Sequence, residues 1–184
     1  MNEPPFPGEG VRERRLAEMI RVDHAGEYGA VQIYRGQRAV FERIESKAHA
    51  ARLVAEMEAG EAEHLRTFDR LVAERNVRPT AMAPIWRIAG FSLGAMTALM
   101  GERAAHACTE AVEDVIEEHY GRQGQALGAA DPELSDVVAR FRADEAAHKE
   151  TAISQGARDA PGYALLSAVI KLGCRTAIRI SEKI

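Results

Sequence analysis

Aromatic residues supply only 5% of this 184-residue chain, which has a single Trp and two cysteines. Cys108 and Cys174 fit no zinc-ligand spacing and make no disulfide framework, so a reducing environment is the simple expectation. No stretch alternates apolar and polar residues with a β-branched bias, which points away from sheets and toward an all-α fold. The first ten residues have neither a basic n-region nor an apolar h-region. That excludes a secretory signal and leaves a flexible lead-in over 1–10, ahead of a single domain over 11–184. A formal net charge of −4 gives no reason to expect a nucleic-acid partner.

What the chain does have, it has twice. Glu27 is followed 34 residues later by Glu61-Ala-Glu-His64, and Glu113 is followed 32 residues later by Glu145-Ala-Ala-His148. Helix breakers predict helices over about 11–45, 48–76, 94–127, 132–156 and 161–184, with Pro79 and Pro84 in a loop and Asp131-Pro132 opening the fourth. The second helix has a seam of Leu53, Met57, Glu61, His64, Phe68 and Leu71, and the fourth repeats it with Leu134, Val138, Phe141, Glu145, His148 and Ala152. The third carries Leu99, His106, Glu113, Tyr120 and Leu127 at steps of seven; the first carries Leu16, Ile20, Glu27, Val31 and Tyr34. Steps of three and four mark a buried face, and every candidate ligand lies on one.

Spacing sets the topology. Some thirty residues let a helix run out about 25 Å, turn and return to its starting level. The 52 residues from Glu61 to Glu113 are too many for a tight turn. Two antiparallel hairpins joined by one long crossover follow, the plan of a ferritin-like four-helix bundle whose core holds two metal ions.

The chemistry explains why the residues must converge. Four buried carboxylates would cost several kcal/mol each unless neutralised. Two divalent cations balance the four negative charges, with two neutral imidazoles completing the set. Oxygen-rich, thiolate-free coordination suits iron or manganese better than zinc or copper(I). Six side chains do not saturate two octahedral ions, so positions stay open for water, O₂ or substrate.

Other polar residues carry weaker signals. Asp144 can orient a ligand imidazole from the facing helix, or simply be an exposed acid. Asp23 and His24 lie one turn from Glu27 and are equally ambiguous. His106 and Tyr120 fit packing or hydrogen bonding in the core better than metal contact. His49 and His119 carry no assignment. Glu58, Glu63, Glu110 and Glu117 read as surface acids or as neighbours supporting the ligands.

Residues 82–100 form an apolar crossover with one charge, Arg87, among Pro84, Ile85, Trp86, Ile88, Phe91, Leu93, Met96 and Leu99. Nineteen such residues are long enough to span a bilayer. A single crossing there would strand half of the ligands on each side, so the segment should lie in the membrane interface or over the end of the bundle. The last helix, 161–184, sets Lys171, Arg175, Arg179 and Lys183 opposite Leu166, Val169, Ile170, Ala177 and Ile178. A basic amphipathic helix of this kind favours a membrane surface.

The stretch Ile20-Arg-Val-Asp-His-Ala-Gly-Glu-Tyr-Gly-Ala30 resembles the demethoxyubiquinone hydroxylase family. So do Arg78-Pro-Thr80, Trp86…Gly-Phe91-Ser-Leu-Gly94, Ala107-Cys-Thr109…Ala-Val-Glu113 and Ala168…Gly-Cys-Arg175…Ser-Glu182, from about residue 16 to the C-terminus. The resemblance implies a membrane-associated, ferritin-like di-iron monooxygenase of ubiquinone biosynthesis. Such an enzyme hydroxylates the ring of a demethoxyubiquinone-type polyprenyl quinone or quinol, with O₂ as co-substrate and an external reductant. It puts Glu27, Glu61, His64, Glu113, Glu145 and His148 on two iron ions, ferrous in the reduced form. Glu61 and Glu145 would bridge, with Glu27 and His64 on one iron and Glu113 and His148 on the other. It also implies a peripheral position on the cytoplasmic face of a bacterial cell membrane and an auxiliary lipid-binding partner. The rival reading is a ferroxidase or peroxide-handling bundle of the ferritin and rubrerythrin kind. It needs the same ligands but no apolar crossover. A non-enzymatic membrane-surface scaffold would bind no iron and tolerate Glu113→Ala.

Overall fold

Among the residues described by the computed structural model, 9–128 and 131–184, there are six α-helices and no strand. They are α1 (Glu9–Phe41), α2 (Ala48–Glu74), α3 (Ala83–Met100), α4 (Glu102–Leu127), α5 (Pro132–Ser154) and α6 (Tyr163–Ser181). Of the lead-in expected over 1–10, residues 1–8 lie outside the described residues, and Glu9 and Gly10 are already helical.

Cross-helix contacts define the bundle. His24 meets Asp69 and Arg35 meets Glu58, so α1 and α2 are antiparallel. Arg142 meets Glu117 and Lys149 meets Asp114, giving the same sense to α4 and α5. The two hairpins join where Tyr34 reaches Glu113 from α1 and where Arg75 of α2 pairs with Asp131 at the start of α5. Asp131 also caps α5 by accepting from the Leu134 amide at 3.1 Å, with Pro132 in the first turn, as the sequence implied.

The crossover departs from expectation in two ways. The expected helix over 94–127 is interrupted: α3 ends at Met100, and Gly101, at φ 120°, turns the chain before α4. Few residues other than glycine adopt that angle, so the break is local backbone chemistry. Nor does the crossover cap the end of the bundle. It lies along the flank of α1, with Gly90 against Gly29 and Gln32, and Gly94 against Ile33 and Gln37. A Cβ on Gly94 would collide with the Ile33 carbonyl, so glycine is what lets these two backbones touch.

α6 covers the neighbouring flank. Lys171 binds Asp114 at 2.7 Å and Arg175 binds Glu118 at 3.2 Å, both on α4. Two of the four basic residues expected on a lipid-facing stripe are thus spent on the bundle. The exposed apolar side chains of this region are Leu165, Val169 and Leu172 on α6 and Ile85, Ile88, Phe91, Met96, Leu99 and Met100 on α3.

Two apolar clusters bracket the centre. One gathers Ile20, Phe68, Leu71, Tyr120, Leu134, Val138 and Phe141. The other gathers Tyr34, Phe41, Val54, Met57, Ala98 and Ala105. Glu27, Glu61, His64, Glu113 and Glu145 come from the stretches of helix between them and are buried, with Glu61, Glu113 and Glu145 fully so.

Candidate metal centre

All six sequence-derived residues converge. Glu27, Glu61, His64 and Glu145 offer one ligand atom each, all within 4.8 Å of one another, and Glu61, Glu113, Glu145 and His148 do the same. Glu61 and Glu145 belong to both groups. That sharing is the layout two ions with two bridging carboxylates require.

The i, i+3 spacing places each imidazole over its own helix's glutamate, so Nδ1 of both histidines faces inward. His64 Nδ1 lies 3.2 Å from Glu145 and 3.4 Å from Glu27. His148 Nδ1 lies 3.0 Å from Glu61 and 3.4 Å from Glu145. On its outer side His64 Nε2 meets Asp144 at 3.2 Å, from the facing helix, and the ring stacks on Phe141 at 3.8 Å between centroids. Both contacts fix the ring plane.

Fourteen buried side-chain polar atoms among the described residues lack a hydrogen-bond partner, and eight of them belong to these six residues. They are Glu27 Oε2, both oxygens of Glu61 and of Glu145, Glu113 Oε2, His64 Nδ1 and His148 Nδ1; all but Glu113 Oε2 approach one another as ion pairs at 3.0–3.7 Å, without making a hydrogen bond. Buried polar atoms are normally satisfied, because each orphan costs about 1–3 kcal/mol and a charged one more. So many lone pairs aimed at one point make a donor set suited to hard or borderline divalent cations.

Electrostatics carry the same imprint. Burial drives the Glu27 and Glu113 carboxyls well above the usual carboxylate range, and the charges on Glu61 and Glu145 add to it. Burial pushes Glu61 the same way, but contacts with His148 and His64 outweigh it and bring this carboxyl down to about 2. Burial disfavours charge on His148, yet Glu145 and Glu61 raise its imidazole to about 10; Glu145 and Glu27 raise His64 against the same opposition. Protons therefore do the balancing that cations would do.

The weaker candidates sort clearly. Tyr120 donates to Glu27 rather than reaching into the cluster as a ligand. His106 is buried but belongs to neither ligand group, His24 pairs with Asp69, and His49 is exposed. Glu58 and Glu110, read as surface or supporting acids, are instead buried ends of ion pairs with Arg35 and Arg38, and with Arg158. Glu63 is exposed beside Arg66, and Glu117 pairs with Lys149. Two features escaped the sequence reading. Tyr34 donates to Glu113 at 2.6 Å. Asp23, fully buried, accepts from Gln123 at 2.9 Å and meets His119 at 3.1 Å. The signal for the first was a tyrosine seven residues after each lone glutamate; for the second it was Asp23 alone, one turn from Glu27, without its partners His119 and Gln123.

A cavity of about 420 Å³ lies beside the cluster between α1, α3, α4 and α6. Its wall includes Gly26 and Val112, the chain neighbours of Glu27 and Glu113, along with Ile33, Trp86, Leu93 and Ile116.

Comparison with known proteins fits this geometry. The family described as "Ubiquinone biosynthesis protein COQ7" matches residues 14–181. The chain is similar to the 3-demethoxyubiquinol 3-hydroxylase of Rhodospirillum rubrum, 44% identical over 182 residues, covering 99% of this chain and 84% of that protein. It is similar to the NADPH-dependent 3-demethoxyubiquinone 3-hydroxylase, mitochondrial, of Homo sapiens, 41% identical over 96% of this chain and 81% of that protein. It is similar also to the 5-demethoxyubiquinone hydroxylase, mitochondrial, of Saccharomyces cerevisiae, 38% identical over 92% and 78%. With near-complete coverage at this identity, and a cluster compatible with a di-iron centre, the chain belongs to the COQ7 family of ubiquinone biosynthesis proteins.

Proposed function

We propose that this protein is a di-iron monooxygenase that adds a hydroxyl group to the ring of a demethoxyubiquinone-type polyprenyl quinone or quinol. The observation that carries the reading is the set of eight orphaned, buried donor atoms on Glu27, Glu61, His64, Glu113, Glu145 and His148. Glu27 and His64 would hold one iron and Glu113 and His148 the other, with Glu61 and Glu145 within reach of both. The iron pair, when bound, supplies two electrons for O₂ activation. The protein's own part is to hold the ligands, exclude water and orient the ring.

The apolar cavity suits the quinone ring and the first part of its prenyl tail, because its wall includes Gly26 and Val112, the chain neighbours of Glu27 and Glu113, and offers few polar groups. A ferroxidase has no use for such a space, which is why the hydroxylase reading is preferred. Beside the cavity, the exposed apolar faces of α3 and α6 form the surface through which a membrane-dissolved substrate would arrive. No helix among the described residues is long and apolar enough to cross a membrane. An auxiliary lipid-binding protein would act at the same surface.

A second recess, about 540 Å³, is lined by Arg15, Arg122, Arg175, Arg179 and His119. Glu18 and Glu182 also line it, and Arg122 and Arg175 pair with Glu118, so Arg15 and Arg179 are the cations that would meet the phosphates of a nicotinamide reductant, the class named for the human relative.

The test is anaerobic reconstitution with ferrous iron, followed by O₂, NADPH and a demethoxy-quinone. Mass spectrometry is expected to find a product heavier by one oxygen atom. Normal iron uptake without that product would favour the ferroxidase instead. His148→Ala is expected to abolish turnover while leaving helical content intact; retained turnover would remove His148 from the ligand set.

A further inference from the structure

Tyr34 follows Glu27 by seven residues and Tyr120 follows Glu113 by seven, so each tyrosine sits about two turns along the same helix face as its glutamate. Because α1 and α4 run antiparallel, each tyrosine meets the other helix's glutamate. Tyr34 donates to Glu113 Oε1 at 2.6 Å, and Tyr120 donates to Glu27 Oε1. In both glutamates the second oxygen, Oε2, is buried and has no hydrogen-bond partner. The two halves of the bundle have exchanged the same interaction.

We propose that Tyr34 and Tyr120 are positioning residues, each holding one oxygen of the opposite helix's lone glutamate and reserving the other oxygen for a metal ion. The inference rests on the di-metal reading above and deepens it. A carboxylate with both oxygens free commonly binds a cation through both. One whose Oε1 is committed to a phenol presents a single donor, so each cation keeps one more position for an exogenous molecule. The phenols suit this task. Each is about 1% exposed, so water does not compete for the bond. Each has one proton and spends it on the carboxylate.

The experiment uses the full chain loaded with cobalt(II), in wild-type form and as Tyr34→Phe, Tyr120→Phe and the double variant. Far-UV circular dichroism checks that all are folded. Azide is the probe of open coordination positions, followed through the visible cobalt bands. The variants are expected to retain two cobalt ions per chain. Their visible bands should weaken as the freed carboxylate takes a second coordination position. Azide affinity should fall by about tenfold per variant, equivalent to about 1.4 kcal/mol. Unchanged spectra and unchanged azide affinity in all three variants would overturn the proposal. Loss of cobalt itself would overturn it too, because a reserved oxygen is not a missing donor. A wild-type chain that took up no cobalt would instead defeat the di-metal reading on which the proposal stands.

Discussion

At the scale of single residues, His64 shows how little freedom the ligands have. Its Nδ1 faces Glu145 and Glu27 while Nε2 meets Asp144, so one ring is held from both edges. Such outer carboxylates typically contribute 10–100-fold to metal affinity. Asp144 is half exposed, which places it at the lower end. Asp144→Asn is therefore expected to weaken metal binding about tenfold, measurable by competition with a chelator. The imidazoles also set a pH dependence. His148 is raised to about 10 in the folded protein against about 6.5 in an unfolded chain. Its contribution to the stability of the metal-free protein is then fully present below about pH 6.5 and disappears as pH rises toward 10. The raised Glu27 and Glu113 act in the same direction, losing their contribution as pH rises above the ordinary carboxylate pKa, and Glu61 opposes them only below it. Urea unfolding of metal-free protein should thus show lower stability at pH 9 than at pH 6.5. The metal-loaded form should lack this decline, since its ligands have already released their protons. The six proposed ligands were legible in the sequence because the chain states them twice at matched spacing. The Asp23, His119 and Gln123 cluster was not, because it joins two helices through residues that follow no repeat.

At the scale of helices, periodicity revealed which faces are buried but not how the crossover is used. Residues 82–100 are apolar on most sides, so no pattern distinguished a cap over the bundle from a rib along it. The glycines decide it. Gly94 is pressed against the Ile33 carbonyl, whereas a Cβ on Gly173 of α6 would meet nothing within 4 Å. Gly94→Ala should cost about 1–3 kcal/mol or more by forcing α3 away from α1. Gly173→Ala should stabilise by about 0.4–1 kcal/mol through reduced backbone freedom in the unfolded chain. Chemical denaturation of the two variants in parallel checks the contrast, and equal effects would contradict it. The expected basic stripe on α6 was a correct count of charges with an incomplete destination. Lys171 and Arg175 serve α4, a tertiary pairing that a helix considered alone does not reveal.

At the scale of the whole molecule, each ligand group draws on both hairpins: Glu27, Glu61 and His64 need Glu145, and Glu113, Glu145 and His148 need Glu61. Bound ions consequently stabilise the assembly of hairpins as well as the site. At a thousandfold excess over the dissociation constant, binding contributes about 4 kcal/mol. For a chain of this length that corresponds to roughly 8–16 °C in Tm. Chelation followed by calorimetry is expected to reveal a drop of that size, and no drop would mean that the cage binds metal weakly or not at all. The antiparallel plan and the long crossover were legible from the spacing of Glu27, Glu61, Glu113 and Glu145. The cavity beside them was not, since it exists only where four non-consecutive helices leave a gap.

The sealing of Glu61 and Glu145, the carboxylates shared by both candidate ligand groups, has a kinetic consequence. Glu61 and Glu145 have no exposed surface, and the aromatic ring of Phe141 closes over His64. A cation held there leaves only when some of these side chains move, and His148, 18% exposed, is the least enclosed of the six. The ion's exchange with solution should follow the slow breathing of the bundle, and trapped ions would outlast a rapid dilution into chelator.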